Sequence, residues 1–523
     1  MRPRNILFIT TDQQRYEALG CNGGRVARTP VADGLARDGI RYERAHTQNV
    51  VCMPSRATMI TGQYPRTHGV VANGIALPED APNVMRYLKR HAGYRTALLG
   101  KAHFQPVLDL GLRFRQNRLA AERSFGPWLD FDHLELAVHG PVGATHYGRW
   151  LAEHHPEDRR GFAVVLTATG GGDTGAPEVA HNPIPRARYH TDWVVDRTMA
   201  WLDAREDDEP WFVWMSFPDP HHPWDPPASE LGRVPWRDLE LPPGRPRSRA
   251  AVERVLADKP AHWLAWYQGR YRNPEGGPAT FRPASLGDDQ LREITAMIHI
   301  ENELIDEATG RVLARLVELG LDRHTDVFFT TDHGDLQGDL GLLYKGPYHV
   351  DGLMRVPLLW RPAPAAGLAP AVVKEPVGLV DLAPTFCTVA GLPVPDFMEG
   401  APLPVAPGSG RERVITEWDS QFRDVGMHLR TLYRDDWLVT IYLPSTRDEG
   451  GHFPVLEAVW PKGDIPRYDG TEGELYDLRH DPHAWRNLWN DPAHRRRRDE
   501  LVADLRASLR PGRPDPLPVA SPV

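Results

Sequence analysis

The chain of 523 residues carries 61 basic and 70 acidic side chains, a formal charge of -9 that argues against a nucleic-acid binder held by a broad positive field. Hydrophobic residues make up 41% and charged residues 25%, an ordinary globular balance with ample material for a core. The three cysteines, Cys21, Cys52 and Cys387, are far apart and lack metal-site spacing, which argues against a disulfide framework and for a reducing compartment.

The N-terminus, MRPRNILFITTDQQ, has too short an apolar run for a signal peptide and passes straight into a buried strand over Asn5 to Thr10. No stretch approaches the length of a membrane span, so a soluble, cytoplasmic protein with no membrane partner is expected. Val31 to Gly39 reads as a helix. Cys52 follows Val50 and Val51 but opens another helix pattern: Pro54 suits a first turn, Ala57 to Ile60 can continue it, and Gly62 can end it. A thiol at a helix N-terminus, where free N–H groups favour anions, is poorly placed for an inert core residue. Asn83 to Gly93 reads as a helix and Thr96 to Gly100 as a strand. Asp192 to Ala204 has helical spacing, Trp211 to Phe217 is a third strand, Asp288 to Leu319 a long amphipathic helix, and Asp326 to Thr331 a fourth strand. Near-continuous apolar strands separated by helices indicate an α/β fold: a mainly parallel sheet covered on both faces.

Two stretches break this pattern, about 105–188 and the Pro-, Arg- and Trp-rich 223–283. Both read as insertions that wall a substrate pocket. Trp224, Trp236, Trp263 and Trp266 suit either an aryl or sugar pocket or simple packing of the insertion. Cys21 and Cys387 read as core residues. After about Pro407 the style changes. Arg430 to Pro444 alternates like an antiparallel pair with a tight turn at Arg434, Asp435 and Asp436; Gly473 to Pro482 and a final helix around Arg497 to Leu509 follow. This predicts a catalytic α/β domain over 1–408 and a smaller α+β unit over 409–523. The run Arg495 to Arg498 reads as a solvated helix face.

In open parallel sheets, ligands bind beyond the carboxyl ends of the strands. One step past each strand stand Asp12 and Gln13, then Lys101 and His103, then His221 and His222, then Asp332 and His333, with Lys345 a little further on. Asp12, Gln13, Asp332 and His333 could hold a hard or borderline divalent cation, although single Asp residues there often cap the next helix or turn. Lys101, Lys345, Arg56, His103 and His221 suit a tetrahedral oxyanion and its leaving group.

At this point the motifs match a known family. Cys52-Met53-Pro54-Ser55-Arg56-Ala57-Thr58-Met59-Ile60-Thr61-Gly62 resembles the signature of the formylglycine-dependent sulfatases, in the alkaline phosphatase superfamily. Gly93 to Phe104, Thr330 to Gly346 and Gly473 to Pro482 match that family's later motifs in type and order. The resemblance runs from Asn5 to about Asn490. It implies a large mixed, mostly parallel sheet sandwiched by helices, with a smaller C-terminal α+β domain. It further implies that a formylglycine-generating enzyme oxidises Cys52 to formylglycine (3-oxoalanine), whose hydrated aldehyde is the nucleophile toward a small-molecule sulfate ester. Pro54 and Arg56 would belong to the element recognised for that modification, and Arg56 would orient the hydrate.

Carried over position by position, Asp12, Gln13, Asp332, His333 and the modified Cys52 would hold one divalent metal ion. His221 would be the general acid with Lys345 assisting, Lys101 and Lys345 would neutralise sulfate oxygens, and His103 would be the base that expels sulfate and restores the aldehyde. Asn73 would touch the substrate. Several relatives of this type are dimers or tetramers, so a homo-oligomer is compatible with the resemblance. Two departures stand out: Gln13 where many members have a second Asp, and His333 where many have Asn. They resemble the phosphonate monoester hydrolases and choline-sulfatase-like members, and leave the metal open between calcium, the family's usual ion, and manganese, which imidazole suits better. Lys101 and His103 are those of sulfatases, whereas phosphonate hydrolases tend to have uncharged hydroxyl residues there. The sequence thus predicts a sulfuric ester hydrolase, arylsulfatase-like. The alternatives are a phosphonate monoester or phosphodiester hydrolase of the same superfamily, a binding protein with unmodified Cys52, and a thiol hydrolase using Cys52 directly.

Overall fold

A computed structural model of the chain describes residues 3–107, 109, 111–141, 144–167, 170–206, 208–273, 275–278, 280–420, 427–444 and 467–520. In chain order its strands are β1 (Asn5–Thr11), β2 (Ile40–Tyr42), β3 (Ala45–His46), β4 (Arg95–Gly100), β5 (His133–Leu136), β6 (Trp211–Ser216), β7 (Thr325–Thr331), β8 (Leu358–Arg361), β9 (Ala371–Val373) and β10 (Val377–Gly378). Then follow β11 (Arg413–Asp419), β12 (His428–Arg434), β13 (Trp437–Tyr442) and β14 (Gly473–Asp477).

The main sheet has eight strands in the order β5-β4-β6-β1-β7-β8-β2-β9. All pairs are parallel except those made by β8, which runs opposite to its neighbours β7 and β2. β3 and β10 form a separate two-stranded parallel pair. Every residue of β1, β6 and β7 is buried, as a parallel sheet covered on both faces requires. Alternate side chains go to opposite sides. Ile6, Phe8, Trp214 and Phe328 pack toward Phe386 and the helices Cys52–Thr61, Val84–Ala92 and Leu382–Val389. Leu7, Ile9, Val213 and Val327 pack against the helices His190–Asp203 and Asp288–Glu318. The long helix buries Leu291, Ile294, Ile298, Glu301, Ile305, Ala308, Val312 and Leu316, a stripe at three- and four-residue spacing.

The C-terminal part is a four-stranded antiparallel sheet, β11-β12-β13-β14, backed by the helix Arg495–Ser508. The β12–β13 turn has only Asp435 and Asp436 between the strands, both at positive φ (54° and 59°), the backbone that a two-residue turn of type I′ demands. Of the four arginines Arg495 to Arg498, Arg497 pairs with Asp435 and Glu500, and Arg498 with Asp499.

The two stretches that read as irregular carry more structure than their composition suggests. The first contains β5 and the helices Arg115–Ala121, His146–His154 and Pro156–Thr167; the second contains Arg249–Ala257 and Ala261–Tyr267. Their Pro and Gly residues interrupt short helices and mask the period. Trp224, Trp263 and Trp266 are buried in a cluster that reaches Trp418, Tyr442 and Tyr476 of the C-terminal sheet, so they pack the insertion against the body. Trp236 is half-buried and donates to Asp173. Cys387 is fully buried, whereas Cys21 is half-buried at the edge of the sheet's helical cover. No helix among the described residues is long and apolar enough to cross a membrane.

Candidate active site

Parallel register carries one chemical group after another to the same edge. Thr10 pairs with Ser216 and Thr330, and Gly100 pairs with Ser216, so β1, β4, β6 and β7 end together. The loops beyond are stitched by backbone bonds: Lys101 N donates to Ser216 O (2.9 Å), Phe217 N to Thr10 O (2.8 Å) and Asp12 N to Asp219 O (3.0 Å). Gly100 has φ of 108°, and a Cβ there would lie 1.8 Å from Ser216 O. Only glycine lets the chain turn at that point and deliver Lys101.

Cys52 opens the helix Cys52–Thr61 from an extended Val51, and the helix ends at Gly62, whose φ is 66°. Asn73 closes the helix start by accepting from Met53 N (3.0 Å) through its amide oxygen, while its amide nitrogen donates to Glu275 (3.0 Å). Cys52 Sγ lies 3.2 Å from His333 Nε2, 3.5 Å from Lys345 Nζ and 3.7 Å from Asp12 Oδ1.

Arg56, one turn along that helix and fully buried, ties the site together. Its guanidinium donates to Asp332 Oδ2 (2.8 Å), Asp12 Oδ2 (3.0 Å), Ser216 Oγ (2.9 Å) and the carbonyl of Lys101 (2.9 Å). Lys101 Nζ adds a 2.6 Å contact to the same Asp12 Oδ2. The cations therefore occupy the outer oxygen of Asp12 and leave Oδ1 on the Cys52 side. Burial alone would raise the Asp12 carboxyl, but the charges of Lys101, His221, Arg56 and Lys345 outweigh it and hold the group well below the usual carboxylate range.

The donor set suits a divalent cation. Ligand atoms of Asp12, Cys52, Asp332 and His333 lie within 4.8 Å of one another, and all four residues are buried. His333 Nδ1 is 2.9 Å from the carbonyl of Gly334, so that nitrogen carries the proton and the Nε2 lone pair faces Cys52. Burial, only partly offset by Asp332, drives this imidazole down to about 4, which keeps it neutral and able to ligate. Gln13, at positive φ (64°), donates its amide nitrogen to Asp335 and turns its amide oxygen inward, where it accepts from Lys345 Nζ (2.8 Å). Burial and the Asp12 charge push the Cys52 thiol up to about 12, against the lowering effect of Lys345 and Lys101.

His103 (φ 54°) is buried, and neither ring nitrogen has a hydrogen-bond partner among the described residues. Burial, then Lys101 and Arg56, hold its imidazolium well below the usual range. His221 sits with Nε2 2.7 Å from Lys345 Nζ and Nδ1 against the carbonyl of His222. Burial and Lys345 likewise favour its neutral form. Asp12, Gln13, Cys52, Arg56, Lys101, His221, Asp332, His333 and Lys345 are thus joined by direct contacts. His103 stands near without such a bond, and Asn73 is engaged with the helix start and Glu275.

Three contributors gave no sequence signal strong enough to single them out. Ser216 is the last residue of an apolar strand, and its hydroxyl supports Arg56. Asp335 fixes the Gln13 amide; its place three residues after Asp332 was the available clue. Asn273, inside the Pro-rich insertion, donates to the carbonyl of Lys345 (2.5 Å) and so orients that lysine's backbone.

A family model described as Sulfatase matches residues 4–392. An uncharacterized sulfatase, YidJ, of Escherichia coli strain K12 is 27% identical over 495 residues, covering 94% of this chain and 84% of its own length. An arylsulfatase of Clostridium perfringens is 27% identical over 515 residues, covering 96% and 93%. A crystal structure of the phosphonate monoester hydrolase of Agrobacterium radiobacter superposes with a TM-score of 0.74 at 25% identity, covering 96% of this chain and 95% of that one.

Proposed function

The chain belongs to the sulfatase family, and on that premise we propose that it hydrolyses a small-molecule sulfate monoester through a hydrated aldehyde at Cys52, beside one divalent metal ion. One observation carries the reading: the side chain that opens the helix is ringed within 3.7 Å by Asp12 Oδ1, His333 Nε2 and Lys345 Nζ. A formylglycine-generating enzyme converts Cys52 to 3-oxoalanine. Asp12, Gln13, Asp332 and His333 would hold the metal, the carboxylates and amide suiting calcium and the imidazole suiting manganese. A metal held there would supply Lewis acidity to the neighbouring hydroxyl and to the sulfate group.

The chain's own groups do the rest. Arg56 holds Asp12 and Asp332 in place from the outer side. Lys101 and Lys345 neutralise sulfate oxygens, where preorganised charge in a buried site is worth most. His221 protonates the departing oxygen. In the free protein its surroundings are cationic and its ring neutral; an anionic sulfate within a few ångströms favours the protonated ring. His103, neutral and without a hydrogen-bond partner among the described residues, is the base for the second step, which expels sulfate and restores the aldehyde.

The acid assignment has a kinetic signature. His221→Ala is expected to lower kcat for phenyl sulfate by roughly 10²- to 10⁴-fold and to cost 4-nitrophenyl sulfate far less, because a good leaving group needs no proton. Equal losses on both esters would contradict it.

A second reading, phosphonate monoester hydrolysis, draws on the similarity to the Agrobacterium radiobacter enzyme. Matched 4-nitrophenyl sulfate and 4-nitrophenyl phenylphosphonate separate the two. The sulfatase reading expects the higher kcat/KM on the sulfate, and a clear preference for the phosphonate would replace it.

A further inference from the structure

Three imidazoles lie in a stack at the mouth of the site. His139 and His221 have ring centroids 4.5 Å apart with planes 20° from parallel; His221 and His222 are at 4.1 Å and 18°. A carboxylate stands at each end. His139 Nδ1 is 3.7 Å from Asp219 Oδ1, and His222 Nδ1 is 3.0 Å from Glu178 Oε2. Asp219 is itself fixed, accepting from His190 (2.6 Å) and from Thr191 Oγ1 (2.7 Å).

We infer that His139 is a positioning residue for His221, holding the proposed acid's ring from the face opposite His222. The inference rests on the sulfatase reading given above. An imidazole turns easily about its broad χ2 torsion. A ring stacked on both faces can move only within its own plane. In that plane His221 is already tied at Nδ1 to the His222 carbonyl and aimed at Lys345 by Nε2. On this reading His139 closes the face of His221 that His222 leaves open, and so limits rotation of the ring out of its plane.

The rest of His139's setting agrees. It lies just past β5, so it too comes from beyond the carboxyl end of a main-sheet strand. Its Nδ1 stands 3.7 Å from Asp219 Oδ1, longer than a hydrogen bond, and one face of its ring lies on His221. The other end is braced by the first insertion. Glu178 takes positive φ (53°), which costs energy for a residue with a side chain and persists only when the surroundings demand it. Its carbonyl accepts from Trp224 N (2.8 Å), and Ala180 N donates back to Trp224 O (3.1 Å), which sews residues 178–180 to the loop that carries His221.

The test compares His139→Ala, His139→Phe and His221→Ala on 4-nitrophenyl sulfate and phenyl sulfate, using protein that has been modified at residue 52 and loaded with metal. A lost aromatic stack is worth up to about tenfold. His139→Ala is expected to lower kcat on phenyl sulfate by about that factor, with KM nearly unchanged and 4-nitrophenyl sulfate nearly unaffected. His139→Phe keeps a ring face and is expected to recover most of the loss. Equal losses on both esters, no loss on either, or a His139→Phe protein as impaired as His139→Ala would overturn the positioning role. If His221→Ala shows a leaving-group-dependent loss and His139→Ala does not, only the positioning role falls. If His221→Ala itself lacks that dependence, the acid assignment falls and the positioning role goes with it.

Discussion

Cys52→Ala is expected to lower kcat on an aryl sulfate by roughly 10⁴-fold or more, the scale on which removal of a covalent nucleophile acts. The fold should persist. Cys52 is buried at the first position of its helix, its side chain is close to Ala in size, and Asn73 closes the helix start through the backbone of Met53 whatever stands at 52. The melting temperature should therefore stay within a few degrees. Cys52→Ser should be as inactive wherever the modifying system acts only on Cys. A hydroxyl at that place would form a sulfate ester with no second hydroxyl through which sulfate could be expelled. A direct thiol mechanism predicts a different pattern: sensitivity to thiol alkylators and indifference to chelators. The environment argues against it, because a thiol pushed up to about 12 is protonated at neutral pH and a weak nucleophile. The modified, metal-loaded enzyme should instead resist alkylation and lose activity to a chelator.

Arg56→Met should have the largest effect on stability. Arg56 is fully buried between the fully buried carboxylates of Asp12 and Asp332. Removing one partner of such a pair costs about 3–5 kcal/mol, because the remaining charge stays desolvated without compensation. Here two carboxylates lose their shared cation, and among the described residues Lys101 is the cation left in direct contact with Asp12. Thermal unfolding of the metal-free variant should fall by at least that amount relative to the metal-free parent. A divalent cation should restore part of it, since positive charge between the same carboxylates offsets what was lost. Arg56→Lys should fall between the two: it keeps the charge but cannot reach both carboxylates with a planar fork. A melt of Arg56→Met unchanged from the parent would show that the guanidinium does not hold the site together.

Much of the fold follows from local pattern. The strands at Asn5, Thr96, Trp211 and Asp326 are near-continuous apolar runs because both faces of a parallel sheet are covered, and their boundaries agree with the structure to within a residue or so. The reading beyond strand ends then works for a topological reason: parallel strands deliver their carboxyl ends to one edge. Asp12, Lys101, His221 and Asp332 meet there although they are spread over more than 300 positions of the chain. The insertions were less legible. Their short helices are broken by Pro and Gly, so neither period persists long enough to declare itself, and β5 has only four residues. His139 escaped notice for the same reason: it follows a strand too short to be seen. Whether the tryptophans line a pocket or pack the insertion was undecidable from residue type, since burial of Trp depends on neighbours distant in the chain, here the C-terminal sheet.

The intact mass of the peptide containing Cys52, from protein made together with a formylglycine-generating enzyme, tests the central claim most directly. The account predicts an aldehyde or its hydrate at residue 52, in step with aryl sulfatase activity. An unmodified thiol at that residue in fully active protein would contradict it and leave the thiol itself as the nucleophile.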